Sequence, residues 1–273
     1  MPFVNPKSSL QGSLTTFVLA ILGIASLLVF SSGSATAGRT PVAPSQIPVG
    51  LILPVTLDQT ISLAQAHAGQ PFEARIAQEI PLTKHDKILH RSRVTGSIVS
   101  VVKAPESTYV DLSLRFEKVE YRKEMIAIVA SLRALASYEA VRTAQTPFAQ
   151  ADAGTPIGWA DTTQIGGDIR YGDGGEVRNL HKQSVGKGVL GGVLVHVSAS
   201  PGTECEGPID GDDRLQALWV FSADACGIYG LPGVHATHNG KTAPKGIITL
   251  RFEKGDMKLD AFDAFLIRVV SPH

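Results

Sequence analysis

From residue 47 onward the chain alternates apolar and polar side chains with a period of two, and this restricts it to folds made of short strands. Leu51, Leu53, Val55 and Leu57 fall on one face, because successive side chains of a strand point to opposite sides. Phe72, Ala74 and Ile76 begin a second such face after the turn residues Gly69 and Pro71. Val94, Gly96, Ile98 and Ser100 continue the period, and Val110, Leu112, Leu114 and Phe116 form the next run beyond Pro105. Short strands at regular spacing, separated by turn signals, predict an antiparallel β-barrel or sandwich. The 27 glycines and 16 prolines suit such a chain better than one of long helices.

Met125 to Val141 carries both periods. Ile126, Val129, Ala130 and Leu132 suit an amphipathic helix, whereas Ile126, Ile128, Ala130, Leu132 and Ala134 suit a strand. A strand that closes the sheet is the preferred reading. Residues 146–188 are rich in Gly, Asp and Thr without sustained periodicity and read as a long connector. A second β-rich region follows over 189–273, with alternation in Val189–Val197 and Ile247–Phe252, an apolar run Leu215–Phe221, and two short strands within Lys258–Val270. The expected division is therefore 1–37, 38–46 as a linker, 47–145 as a barrel-like domain, 146–188 and 189–273.

Residues 1–37 have the parts of a secretory signal peptide in order. Lys7 supplies the cation, Phe17 to Phe30 the apolar core, and Ala35-Thr36-Ala37 the small residues of a cleavage site before Gly38. The core is shorter than the roughly 20 apolar residues a spanning helix needs, so cleavage is expected rather than retention as an anchor. These residues predict an exported protein, periplasmic or extracellular. About 236 residues then remain, enough for one large domain or two small ones. Lys plus Arg total 25 and Asp plus Glu total 25, which gives no electrostatic reason to expect nucleic acid as a partner. Cys205 and Cys226 are the only cysteines, and in an exported chain they read as a disulfide worth about 3 kcal/mol on the chain-entropy model.

Part of the first β region is familiar. Ile47-Pro48-Val49-Gly50, Leu57-Asp58-Gln59-Thr60-Ile61-Ser62 and Ala68-Gly69-Gln70-Pro71-Phe72-Glu73-Ala74 resemble a recurrent opening in exported bacterial proteins. Arg93 to Val99 and Leu112 to Val119 match its later strands. Over residues 47–136 the chain is similar to the β-barrel domain of TrbI-like proteins of conjugation and type IV secretion channels. Gln70 stands where that pattern has Asp, and Lys84 to Arg91 replace its usual approach to the third strand. The resemblance implies a fold and leaves the activity open. Trp219 to Gly230 likewise resembles exported proteins without assigned function.

Candidate sites each have a plain alternative. His235 and His238 share a face only on a helical turn, where they would suit a transition metal; on a strand they are surface histidines. Asp210, Asp212 and Asp213 lie within the expected disulfide loop and suit calcium or a solvated turn. Gly186, Gly188 and Gly191 fit the letters of a dinucleotide fingerprint, but with a loop before and a strand after they read as the entry to that strand. Lys84, His85, Lys87, His90, Arg91 and Arg93 form a cationic strip that suits either a charged hairpin tip or an anionic envelope polymer. The commonest hydrolase signatures, a G-x-S-x-G elbow and H-E-x-x-H, are missing from the sequence. The resulting expectation is a non-catalytic envelope or secreted β-protein without a cofactor, binding envelope proteins or surface polymers. The competing expectation is a secreted metal-dependent hydrolase built from the acidic and His-bearing C-terminal loops.

Overall fold

A computed structural model describes residues 46–103, 108–147, 161–172, 174–197 and 214–271. The signal segment 1–37 with Ala35, Ala37 and Gly38 lies outside the described residues, as do Cys205, Asp210, Asp212 and Asp213.

The protein is mainly β. The first strands are β1 (Ile52–Leu57), β2 (Ile61–Ser62), β3 (Pro71–Ile76), β4 (Ile80–Thr83), β5 (Asp86–Ile88), β6 (Arg93–Lys103), β7 (Val110–Tyr121), β8 (Glu124–Ala127) and β9 (Ala130–Ala136). A two-turn helix, α1 (Tyr138–Gln145), follows at once. Then come β10 (Thr162–Thr163), β11 (Ile169–Arg170), β12 (Glu176–Arg178), β13 (Ser184–Val189), β14 (Gly192–Val195) and β15 (Gln216–Ala217). The last are β16 (Gly227–Tyr229), β17 (Val234–His238), β18 (Ile248–Phe252), β19 (Lys258–Leu259) and β20 (Ala264–Val269).

Ten strands form one sheet in the order β16-β9-β20-β1-β3-β6-β7-β18-β17, with β8 paired to β7. All its ladders are antiparallel except β16 on β9. The sheet curls into a nearly closed barrel: just past β17, the Asn239 carbonyl accepts the Leu132 N–H of β9 at 2.7 Å. The expected faces point inward. Leu53, Val55 and Leu57 of β1, Phe72, Ala74 and Ile76 of β3, and Leu112, Leu114 and Phe116 of β7 are buried in one core. Phe116 meets Phe72 at 5.3 Å between centroids and Phe265 at 5.4 Å, both edge to face, an arrangement favoured by the ring quadrupole. Gly96 pairs with Phe72 across the β3–β6 ladder, and a Cβ there would strike the Phe72 ring and the Arg115 carbonyl. The missing side chain makes room for the phenyl group.

Three adjacent barrel strands, β9, β20 and β1, are buried on their outer face as well. Ile52, Ala134, Ala136, Ala264 and Leu266 form a second core there with Val177, Val185, Val193 and Val195 of a smaller sheet ordered β10-β11-β12-β13-β14-β15. Val141 and Ala144 of α1 and the segment Leu218 to Ala225 complete it.

Two expectations change here. Residues 146–188 are not one connector, because 162–189 supply β10 to β13 of the small sheet. Strands of two or three residues are too short to show a period, and turns such as Gly166 (φ +104°) dominate the composition. The stretch 189–273 does not stand as a separate β region either. β14 and β15 join the small sheet, while β16, β17, β18 and β20 join the barrel. Alternation identifies a strand but not its neighbour, which is why the division misplaced them. The strand reading of Met125–Val141 holds as far as Ala136; Ser137 then caps α1, its Oγ accepting the Ala140 N–H at 3.2 Å.

Candidate functional site

Helix α1 lies on the outside of the barrel with open space along both flanks. On one side a cleft of about 740 Å³ is lined largely by apolar groups, among them Ala140, Ala144, Ile165 and Tyr229. On the other side a cleft of about 630 Å³ is lined by Arg75, His90, Arg91, Tyr138, Trp219 and Phe262, with Asp58 beside them. A smaller recess of about 210 Å³ shares Ala144 with the first and Gln145 and Trp219 with the second, so the three meet at the C-terminal end of the helix.

The second cleft is framed by backbone in a conformation its residues rarely adopt. Arg91 (φ 67°), Trp219 (φ 56°) and Phe262 (φ 72°) all lie in the left-handed region. A bulky residue is unfavourable there, at about 1–3 kcal/mol each, and persists only where surrounding bonds impose it. Those bonds are present. The Arg91 N–H donates to the Ile76 carbonyl at 2.8 Å, and the Phe262 N–H to the Leu57 carbonyl at 2.9 Å. The Trp219 N–H donates to Gln78 Oε1 at 2.6 Å. Gln78 itself is buried, and its Nε2 donates to the Val193 carbonyl at 2.9 Å, so one side chain links the barrel rim, β14 and the Trp219 turn.

The rings and charges of this cleft are held separately. Tyr138 and Phe262 pair at 5.8 Å with their planes tilted by 47°, and both are exposed. Arg75 Nε donates to Asp58 Oδ2 at 2.7 Å, and this carboxylate raises the Arg75 pKa above its ordinary value. Asp263, next to Phe262, is buried and accepts the Tyr138 N–H and the Asp260 N–H, each at 2.8 Å. It thereby supports the start of α1 and fixes where the Tyr138 ring begins. Burial pushes its carboxyl up to about 6 despite those two donors.

Beneath the other flank, both backbone groups of Ala223 are bound by buried charged side chains. Asp168 Oδ2 accepts its N–H at 2.7 Å, and Arg133 Nη2 donates to its carbonyl at 2.9 Å. Burial is the largest influence on each, pushing Asp168 up to about 6 and Arg133 down to about 10. These groups anchor the Leu218–Ala225 segment against the barrel.

The residues singled out from sequence fall elsewhere. His235 is exposed on β17 with Nε2 3.5 Å from Glu253 Oε1. His238 follows a register irregularity in the same strand, and its Nδ1 lies 2.8 Å from both the Ile247 carbonyl and the Gly240 amide nitrogen. The two histidines thus engage different partners. Among the described residues, no group of three or more His, Cys, Asp or Glu comes together. The three aspartates of that expected metal site lie outside the described residues. The Cys226 N–H donates to the Tyr229 hydroxyl at 3.0 Å, while the pairing with Cys205 falls outside the described residues. Gly186 and Gly188 lie within β13 rather than before it, and Gly191 turns the chain into β14.

Of the cationic strip, Lys84, His85 and Lys87 stay on the exposed β4–β5 hairpin, whereas His90 and Arg91 reach the cleft. Tyr138 and Phe262 carry no signal in the sequence, and Trp219 stands there only as the first residue of the stretch that resembles exported proteins without assigned function. Tyr138 and Phe262 stand beside polar residues, Trp219 lies within an apolar run that reads as core, and no sequence signal reports a positive φ at a non-glycine residue. No known family model, curated protein or solved structure matches the chain.

Proposed function

We propose that this is a non-catalytic exported β-protein of the bacterial envelope that binds a surface polymer through the cleft framed by Arg91, Trp219 and Phe262. The observation that carries the reading is the convergence of those three left-handed residues on one cleft of about 630 Å³. Unfavourable backbone conformations that point side chains into shared space are what a recognition surface retains and a mere covering layer does not. Asp58, the carboxylate lining this cleft, is engaged by Arg75 at 2.7 Å. Export rests on residues 1–37, and the Cys205–Cys226 disulfide is part of the same proposal.

The test is equilibrium binding of the purified protein to a panel of immobilised envelope polymers, with the polymer recovered and sized afterwards. Saturable binding with polymer length unchanged is the expected outcome; shortened polymer would replace binding by hydrolysis. N-terminal sequencing of the exported protein should begin at Gly38, and thiol titration of the denatured, unreduced protein should find no reactive cysteine.

A further inference from the structure

The chemistry of the cleft narrows what the polymer must carry. Tyr138 and Phe262 offer tilted, exposed ring faces from one wall, and Trp219 offers a half-buried indole from another. Such surfaces accept the C–H face of a pyranose ring or any flat apolar group. The charged groups are predominantly cationic. Arg75 is bonded to Asp58, which leaves the Arg91 guanidinium as the cation that no carboxylate in the cleft holds, with His90 as a neighbouring nitrogen donor. A guanidinium presents two parallel N–H groups to a carboxylate, a match that a point charge cannot reproduce.

Position strengthens the case. His90 and Arg91 lie in the turn between β5 and β6, Trp219 lies after β15, and Phe262 precedes β20. Three separate loops therefore contribute one cation and two rings to the same space. Arg91 and Phe262 are largely exposed despite their backbone conformation, so core packing does not explain why large side chains occupy those positions. Asparagine or glycine would be the favoured residue at each.

We propose that the cleft binds a sugar acid, with the pyranose ring on the Tyr138, Phe262 and Trp219 faces and its carboxylate on Arg91. This rests on the binding function above and names its ligand class. The ligand is a uronate unit, either free or within an acidic polysaccharide.

Calorimetric titration of the exported protein with a short oligogalacturonate tests it, with its methyl ester, monomeric galacturonate and anionic phospholipid vesicles as the other arms. Oligogalacturonate should bind, and the neutral ester should bind at least tenfold more weakly. Tighter binding of the oligomer than of the monomer would identify a polymer as the source, and equal affinity a free sugar acid; both keep the sugar-acid assignment. Arg91→Asn should weaken oligogalacturonate at least tenfold while leaving the ester unchanged, and Trp219→Gly should weaken both. Arg91→Asn suits a positive φ at an exposed position and should melt no lower than the parent protein; Trp219→Gly also removes a half-buried ring packed on the second core, so it is titrated well below its own melting temperature, where circular dichroism shows it folded. Absence of oligogalacturonate binding, or binding untouched by Arg91→Asn, overturns the proposal. If vesicles or another polymer then bind and are lost in Trp219→Gly, the ligand class fails while the binding function stands.

Discussion

Inside the barrel, Phe72, Phe116 and Phe265 meet edge to face within a wall of Leu, Ile and Val, and the described side chains there are almost wholly apolar. Outside it, the seam under the small sheet is floored by Ala134, Ala136 and Ala264, and much of its order comes from buried polar side chains bonded to backbone. The reason lies in strand length. β6 and β7 run for 11 and 12 residues and satisfy their amides with each other and with β3, β8 and β18 on their other edges. β10, β11 and β15 are two residues long, so the turns between them have backbone groups that a ladder cannot reach. Gln78, Asp168 and Arg133 reach them instead. The interior is held by shape and volume, the outer layer by a few directional bonds.

The comparison breaks most readily at Phe116. Phe116→Ala should cost about 3–5 kcal/mol by leaving a cavity between the Phe72 and Phe265 rings, read as a lower urea midpoint for the whole protein. A loss below about 1 kcal/mol would mean that interior volume is not what holds the barrel. Gln78→Leu keeps the volume and removes the bonds, leaving the Trp219 N–H and the Val193 carbonyl without their side-chain partner. It should cost about 1–3 kcal/mol, concentrated in faster amide exchange at Trp219 and around β14 rather than in β3, β6 and β7. Uniform acceleration across both regions would erase the distinction drawn here.

Acidity separates the regions further, because the buried carboxylates are in the outer layer and at its helix. Asp168 and Asp263 have folded pKa values near 6, raised above the ordinary 3.8 by burial. A raised carboxyl favours the fold while protonated, so this contribution is complete below about pH 4 and is lost as the pH rises through 6. The melting temperature should therefore fall between about pH 4 and 6 and level off above that. Asp168→Asn, which keeps an acceptor for the Ala223 N–H, should make that slope shallower. The smallest effect belongs to the uncovered outer face of the barrel. Arg251 forms a two-pronged bond to Asp111, 2.8 Å on each side, but both are solvent-accessible. Arg251→Ala should leave the melting temperature almost unchanged, and 1 M salt should remove any difference that low salt reveals.

Legibility in the sequence follows the same division. Long barrel strands carry enough alternation for their inward faces to be read residue by residue, as Leu53 to Leu57 and Leu112 to Phe116 demonstrate. The partners of β17, β18 and β20 were not legible, because any apolar strand face is compatible with several neighbours. The small sheet was illegible for a different reason: its strands are shorter than the period used to find them. Of the candidate site, only His90 and Arg91 stood out, through the charge around them. Trp219, Phe262 and Tyr138 act through backbone conformation and tertiary position, and neither is encoded in local composition.

The pairing of β1 with β20 has a consequence in time. Val55 lies opposite Phe265, so one of the earliest strands depends on one of the last for its neighbour, and Gly50 donates to the Val269 carbonyl at 2.8 Å. While the ribosome is still adding residues, β1 has an unoccupied edge and the interior lacks Phe265 and Ile267. Contacts so distant along the chain carry a large loop-closure cost and form slowly. The nascent polypeptide therefore stays open until β20 has been made, and the barrel reaches its stable state only after that strand is in place.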